Sequence, residues 1–285
     1  MTLRVAAPPR IRLVTATLGP RSSLSRANFV SAALKVILKI GIFVVFCSLL
    51  LGRADAALVR VGDLVVHADG GFTPHVLPRR AYAPIDFRGH ADIATVQGGV
   101  PPALQRAVLD FDRDGRLNTA GLPTCLPSAV ENASPGEARS ICSKAIVGTG
   151  HVEALIAPPG QAPILASSLL TLFNGPRQGG DPTVVFHAQI TVPAVQTFAV
   201  VVPIERRRAG GYGYRATAEL PPIAGGYGAL THVDLKVGKR YRSGGVERSY
   251  TSARCGDGVL ETHGHFNFAD GTVIAGSVYK PCRVR

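Results

Sequence analysis

The sequence lacks several features that would assign it to a particular class of protein. Its 285 residues include no tryptophan and one methionine, and a charged fraction of 18% is too low for a disordered polyelectrolyte. The 32 glycines follow no three-residue period, which excludes a collagen-like chain, and no heptad repeat indicates a coiled coil. Because 46% of the residues are apolar, the chain can bury a core and is predicted to be globular.

Motifs of common catalytic and nucleotide-binding sites are also absent. The sequence has no G-x-S-x-G, H-E-x-x-H or P-loop motif, and no two cysteines have the C-x-x-C spacing of a zinc or redox site. The tight basic run at 206–208 precedes a turn-like pair of glycines, where we expect solvated charge rather than a nucleic-acid-binding face. We therefore predict no nucleic-acid partner, and catalysis is the less favoured class of function.

The first 56 residues have the composition of an export signal. They contain eight Lys or Arg and one acidic residue. The run at 40–51 is uncharged and almost wholly apolar, but it is too short to span a bilayer. Lys35 and Lys39 precede this run and Ala54-Asp55-Ala56 follows it, which is the pattern of a Sec-type signal peptide cleaved after its last alanine. We expect a secreted or cell-envelope protein.

The remaining segment, 57–285, is only mildly basic. It has 23 Lys and Arg against 18 Asp and Glu, a net charge of +5, so most of the basicity belongs to the signal segment. A true start near Val30 would make that signal more compact. We expect residues 57–285 to form a single domain without a membrane span.

Four cysteines remain after the signal, an even number that indicates two disulfide bonds in an exported chain: Cys125, Cys142, Cys255 and Cys282. Three connectivities are possible. We predict a Cys125–Cys142 bridge, which closes a short loop, and by elimination a Cys255–Cys282 bridge. If tight turns separate their strands, the second pair lies about 10 Å apart across a sheet, beyond disulfide reach unless the strand ends bend inward.

Alternation of apolar and polar residues predicts strands through most of the chain. In 183–192 the even positions are apolar, and similar patterns recur at 198–204, 214–220 and 233–237. Asp270-Gly271 is a strong signal for a two-residue hairpin loop. The roughly ten to twelve strands predict an all-β domain, most simply a two-sheet antiparallel sandwich, with a half-open barrel as the alternative.

One short helix is predicted near 135–143. Ser134 can cap it, Pro135 fits its first position, and Glu137 can reach back to the cap. Since Cys125 and Cys142 flank this segment, their disulfide would pin the helix to the preceding turn.

Two groups of residues could bind a metal ion. Asp110, Asp112 and Asp114 precede Gly115 as in the first half of a Ca²⁺-binding loop, but position twelve is Gly121 instead of a carboxylate. We therefore favour an ordinary hairpin turning at Asp114-Gly115 over a calcium site.

The second group, on one face of a predicted strand, comprises Glu261, His263, His265 and Asn267. Two imidazoles at this spacing can coordinate a Zn²⁺ ion if a third ligand comes from another part of the chain. Alternation places the candidates for that ligand on polar strand faces, with the strand at 232 a possible neighbour: His151, Glu153, His187, His232 and Asp234. We expect His263 and His265 to be solvated and without metal, and we predict no other cofactor.

Several short motifs resemble those of one family of proteins: Gly121-Leu122-Pro123-x-Cys125, the stretch 142–150, Phe173-Asn174-Gly175, Ser249-Tyr250-x-x-Ala253-Arg254-Cys255 and Phe268-Ala269-Asp270-Gly271. This is a family of exported, β-rich proteins of high-GC Gram-positive bacteria whose function is unknown. The resemblance covers most of the mature segment. It implies export and a β-rich fold, and it implies no catalytic residues.

Three functions remain open. The first choice is a non-catalytic exported module that acts in binding or in the cell envelope. The second is a metal-dependent enzyme or binder that uses the face of His263 and His265, and the third is a carrier of an apolar ligand. A filled core would favour the first function, a cleft of histidines and carboxylates the second, and an open apolar cavity the third.

Overall fold

The structure, a computed structural model, describes residues 56–207 and 210–285. The predicted signal sequence with its alternative start, and Arg208 of the basic run, lie outside the described residues. In this part of the chain no helix is both long and apolar enough to cross a membrane.

The described residues form nineteen strands and one α-helix. The helix is α1 (Pro135–Ile141). The strands are β1 (Ala57–Val61), β2 (Leu64–Thr73), β3 (Val76–Leu77), β4 (Ala83–Pro84), β5 (Asp86–Thr95), β6 (Leu104–Asp112), β7 (Gly115–Leu117), β8 (Ile146–Ile156), β9 (Ile164–Gln178), β10 (Asp181–Ile190), β11 (Gln196–Arg206), β12 (Tyr212–Glu219), β13 (Gly228–Val237), β14 (Arg240–Ser243), β15 (Val246–Ser249), β16 (Thr251–Ala253), β17 (Val259–Phe268), β18 (Val273–Pro281) and β19 (Arg283–Val284).

Twelve strands form a single sheet in the order β1-β2-β5-β13-β8-β9-β10-β11-β12-β6-β17-β18, and every neighbouring pair is antiparallel. The sheet curls until its two edges approach each other. A Cβ atom added to Gly276 of β18 would lie 3.3 Å from a methyl group of Val59 on β1. The result is a nearly closed, barrel-like sheet.

This architecture confirms the all-β prediction and matches its barrel alternative. The two-sheet sandwich is not formed, because the hydrogen-bonded ladder continues without a break through all twelve strands. The alternation that suggested half-buried strands is present as expected. On β10, Val184, Phe186, Ala188 and Ile190 point to the inside of the sheet, where their neighbours are the apolar residues of β9 and β11.

Long connections cover one end of the barrel. Together with the residues after β18 they contain three small sheets, in the strand orders β4-β16-β7, β14-β15 and β19-β3. Tyr250, in the connection between β15 and β16, is 1% exposed and packs in one apolar cluster with Leu122 and Leu172. The connections therefore share a core with the interior of the large sheet.

Helix α1 lies in one of these connections and packs on the outer face of the sheet. The Ser134 side chain accepts a hydrogen bond from the Glu137 backbone amide, and the Glu137 side chain accepts one from the Ser134 amide at 2.9 Å, so the predicted capping box is present. Ala138 is buried in a cluster with Phe173 and Val185. The helix ends at Ile141, two residues before its predicted end, and Ser143–Ala145 continues as a 3₁₀ turn.

Both predicted disulfides are present. Cys125 and Cys142 have their Cα atoms 5.6 Å apart, and those of Cys255 and Cys282 are 5.9 Å apart. The second pair is within reach because β16 belongs to a small sheet, so that Cys255 lies on the connection to β17 and not on a strand two places away. Cys282 donates its backbone N–H to the Gly258 carbonyl at 2.9 Å, which brings it beside that connection.

Replacing Cys125 and Cys142 together by alanine should lower the free energy of unfolding by about 3 kcal/mol, because the unfolded chain regains the entropy of the loop that the bridge closes. Equilibrium urea denaturation of the oxidised proteins measures this difference. The Cys255–Cys282 bridge should stay intact in the variant, as non-reducing peptide mapping can check. An unchanged denaturation midpoint would contradict a stabilising role for the bridge.

Candidate functional site

The barrel-like sheet encloses a cavity of about 450 Å³. Inward side chains of most strands line it, with Val200, Val202 and Ile204 of β11 among them. In an eight-stranded barrel the inward side chains just fill the interior. Diameter grows with strand number, so the side chains of twelve strands do not meet in the middle.

Small residues at inward positions add to this space: Ala68, Gly89, Ala91, Ala107, Ala216, Ala218, Gly264 and Gly276. Several inward apolar side chains stay only half-buried, such as Phe186 and Ala216, even though they face the interior. The inside of the barrel is therefore an apolar surface with free volume beside it, and not a filled core.

Polar groups reach the cavity chiefly at the end that the connections cover, where Arg116 and Lys280 contribute to its lining. The Lys280 ammonium on β18 contacts the Asp69 carboxylate on β2 at 2.9 Å. Burial alone would raise the pKa of Asp69, but the hydrogen bonds from Lys280 and the Gly70 amide, together with the charge of Lys280, lower it below its ordinary value. The ion pair joins β2 to β18, on either side of the edge strand β1.

The predicted metal face on β17 belongs to a polar network of its own. The Glu261 carboxylate accepts hydrogen bonds from the Tyr212 hydroxyl at 2.8 Å and the Ser277 hydroxyl at 2.7 Å. Ser277 also lies 2.9 Å from Nδ1 of His263. Burial and the neighbouring Glu261 carboxylate raise the pKa of Tyr212 to about 12.

None of the candidate third ligands lies on a strand adjacent to β17. That strand is flanked by β6 and β18, whereas β13, which carries His232, is flanked by β5 and β8. The expectation that the strand at 232 could neighbour His263 and His265 is therefore wrong. The intervening segment forms β14, β15 and β16 over the end of the barrel and does not lead from β13 to an adjacent strand.

The three aspartates of the half calcium loop have separate partners. Asp110 forms two hydrogen bonds with the Arg215 guanidinium, at 2.8 and 2.7 Å, which lower its pKa. Asp114 binds Arg254 Nε at 2.8 Å and the Gly256 amide at 2.7 Å.

Asp112 accepts hydrogen bonds from the backbone amides of Asp114 and Glu261, and burial raises the pKa of its carboxyl group. The three carboxylates are thus directed to separate partners and do not converge on one centre. The predicted hairpin at Asp114-Gly115 is also wrong. The chain turns there, but β7 pairs with β16 and not with β6, because the Asp114–Arg254 pair holds it beside the segment that follows β16.

A histidine cluster that sequence reasoning missed lies on the outer face of β2, β5 and β13. Among the described residues, one group of three or more possible metal ligands has its ligand atoms within 4.8 Å of one another, namely His67, His90 and Asp92. His232 contacts the same carboxylate, with its Nδ1 2.8 Å from Asp92 Oδ1. Alternation places each of these residues on a polar face, but only the strand order brings those faces together.

His187, predicted to lie on a polar face, is fully buried. It points outward from β10, as alternation requires, but the segment around α1 covers it. Its Nε2 lies 3.0 Å from the Ala133 carbonyl, which it can reach only as a donor. Burial lowers the pKa of His187, so the imidazole is neutral and serves to hold the 123–145 segment on the sheet.

Comparisons of the chain with protein-family models, with curated proteins and with solved structures find no match.

Stability should fall as the pH drops below about 6.5, the ordinary pKa of histidine, because the unfolded chain then binds a proton at His187 that the folded protein does not. The slope from this group approaches at most about 1.4 kcal/mol per pH unit. In the variant His187→Gln, which can still donate to the Ala133 carbonyl, the free energy of unfolding should depend less on pH. Urea denaturation of both proteins between pH 5 and pH 8 (about the range in which histidine titrates) measures the two slopes. Equal slopes would show that His187 is not held neutral.

Proposed function

We propose that the protein binds a small apolar molecule inside its barrel-like sheet. The observation that carries this proposal is the cavity of about 450 Å³, which is lined almost entirely by aliphatic and aromatic side chains. Its volume lies within the range of about 300–1,000 Å³ that is typical of ligand pockets. A non-catalytic binding role needs only this lining. The proposed function therefore combines two of those considered from the sequence, the non-catalytic binding module and the carrier of an apolar ligand.

Energetics favour an occupant. Unfilled volume beside an apolar wall costs stability, because the wall atoms have no partner atoms to pack against. Water does not recover this energy well, because it needs two or more polar partners that an apolar wall does not offer. A hydrocarbon-rich molecule recovers it by burying apolar surface on both sides of the contact.

The lining also limits the chemistry of the ligand. A charged group in the middle of the cavity would be desolvated without a partner, which is strongly unfavourable. Such a group can lie only at the covered end, where charged residues of both signs contribute to the lining: Asp69, Asp112, Arg116, Glu261 and Lys280. We infer an aliphatic or aromatic molecule with at most one polar end.

We also propose that the protein works outside the cytoplasm. Its two disulfides fit an oxidising compartment, and the signal-like segment of the sequence supplies the route. Amino-terminal sequencing of protein recovered from an exporting host should give Ala57 as the first residue. A mature protein that still carries Arg4 and Arg26 would contradict this processing.

The absence of tryptophan allows a direct test of ligand binding in the cavity. The variant Phe186→Trp carries a single tryptophan at an inward, half-buried position of β10. A brominated long-chain alcohol, whose bromine quenches indole on contact, should quench its fluorescence in a saturable way. The matched control Tyr279→Trp places the indole on the outer side of β18, 36% exposed in the parent residue, and should show no saturable quenching.

A filling substitution locates the bound molecule. In the Phe186→Trp background, Ala216→Phe adds a ring to the interior and should weaken binding at least tenfold. Ala94→Phe adds the same ring to an exposed position of β5 and should leave binding unchanged. Equal quenching at positions 186 and 279, or equal effects of the two filling variants, would exclude binding inside the sheet.

A further inference from the structure

Four neighbouring strands bring histidines and carboxylates together on the outer face of the sheet, away from the cavity. In the ladder of β2, β5 and β13, His67 is opposite Asp92, and Asp92 is opposite His232. His90 precedes Asp92 by two residues and so points to the same face. His232 is in turn opposite Glu153 on β8. Four of the eight histidines of the chain lie in this cluster, the fourth being His151 beside His232.

Asp92 is the centre of the cluster. Its Oδ1 lies 2.8 Å from Nδ1 of His232, and its Oδ2 lies 2.9 Å from Nε2 of His90 and 3.7 Å from Nδ1 of His67. Among the described residues its ion-pair partners are all histidines, so no Arg or Lys competes for the carboxylate.

These distances fit a transition-metal ion after small side-chain rotations. One ligand atom each from His67, His90 and Asp92 lies within 4.8 Å of the others. A tetrahedral zinc ion with bonds of about 2.1 Å keeps its ligand atoms about 3.4 Å apart. The group therefore has to contract by little more than 1 Å, and its half-exposed side chains have room to do so.

The carboxylates around these three residues favour a cation-binding site over an ordinary polar surface. His90 has a carboxylate opposite it on both neighbouring strands, Asp69 on β2 and Asp234 on β13. Glu153 adds a third, 3.4 Å from Nε2 of His151. Of the three, Asp69 has a cationic partner, Lys280. Neutral imidazoles together with carboxylates are a donor set that suits Zn²⁺.

We propose that the outer face of β2 and β5 is a Zn²⁺ site in which His67, His90 and Asp92 are the ligands. Each imidazole ligates through the nitrogen that faces Asp92 and carries its proton on the other nitrogen, so no proton is lost from a neutral ring. His232 is a positioning residue that donates from Nδ1 to Asp92 Oδ1 and orients the carboxylate. The remaining coordination position is open to water, because the ligands are 37–47% exposed.

Calorimetric titration of untagged, EDTA-treated full chain with Zn²⁺ tests this site, with elemental analysis of the dialysed complex. We expect one equivalent of zinc to bind. His90→Ala and Asp92→Asn should each weaken binding at least tenfold. The matched control is His265→Ala, which removes a half-buried, outward-facing imidazole from β17 and should leave binding unchanged.

Two further measurements test the zinc site even if one of these variants folds poorly. Co²⁺ bound to the unaltered protein should show the intense visible bands of a four- or five-coordinate ion. His232→Gln should weaken binding about tenfold and change these bands without abolishing them, as a positioning residue does. Absence of zinc binding, equal binding by His90→Ala, or loss of binding in His265→Ala would each overturn the proposal.

Discussion

The unbroken ladder of twelve antiparallel strands is the constraint on which the rest of the structure depends. It joins all twelve strands into one curled sheet, and a barrel-like sheet of this many strands is too wide for its inward side chains to fill. The interior is apolar because alternation directs valine, isoleucine and phenylalanine inward, and it is open because alanine and glycine occupy many of the remaining inward positions. The cavity follows from strand number and residue size together.

The same ladder organises the outer face. Register places side chains from strands far apart in sequence in one row, such as His67, Asp92 and His232. A second row joins Arg215, Asp110 and His263 across β12, β6 and β17. The first row has one carboxylate between two imidazoles, whereas the second pairs its carboxylate with a guanidinium. This difference in partners separates a surface that suits a cation from one that is already neutralised.

Local features of the fold could be predicted from the sequence, and its closure could not. The capping box at Ser134 and the alternation along β10 depend on neighbours within a few residues, and both are present as predicted. A sandwich and a barrel share that alternation, however, so the pattern does not distinguish them. Strand order, which is equally hidden in local patterns, decides the partners of the candidate ligands. Asp92 meets His232 across 140 positions, and no local pattern encodes the pairing of β5 with β13. His187 shows the same limit, because alternation places it on the outer face but does not tell which segment covers that face.

The most direct test of this account is a crystal of the protein pressurised with xenon, an apolar atom that enters dry cavities and avoids polar ones. The account predicts anomalous scattering from xenon inside the sheet, in contact with Phe186, Val200 and Ala216. Ordered water throughout the interior, or side chains packed across it with no xenon, would contradict the claim that the twelve strands enclose an apolar binding cavity.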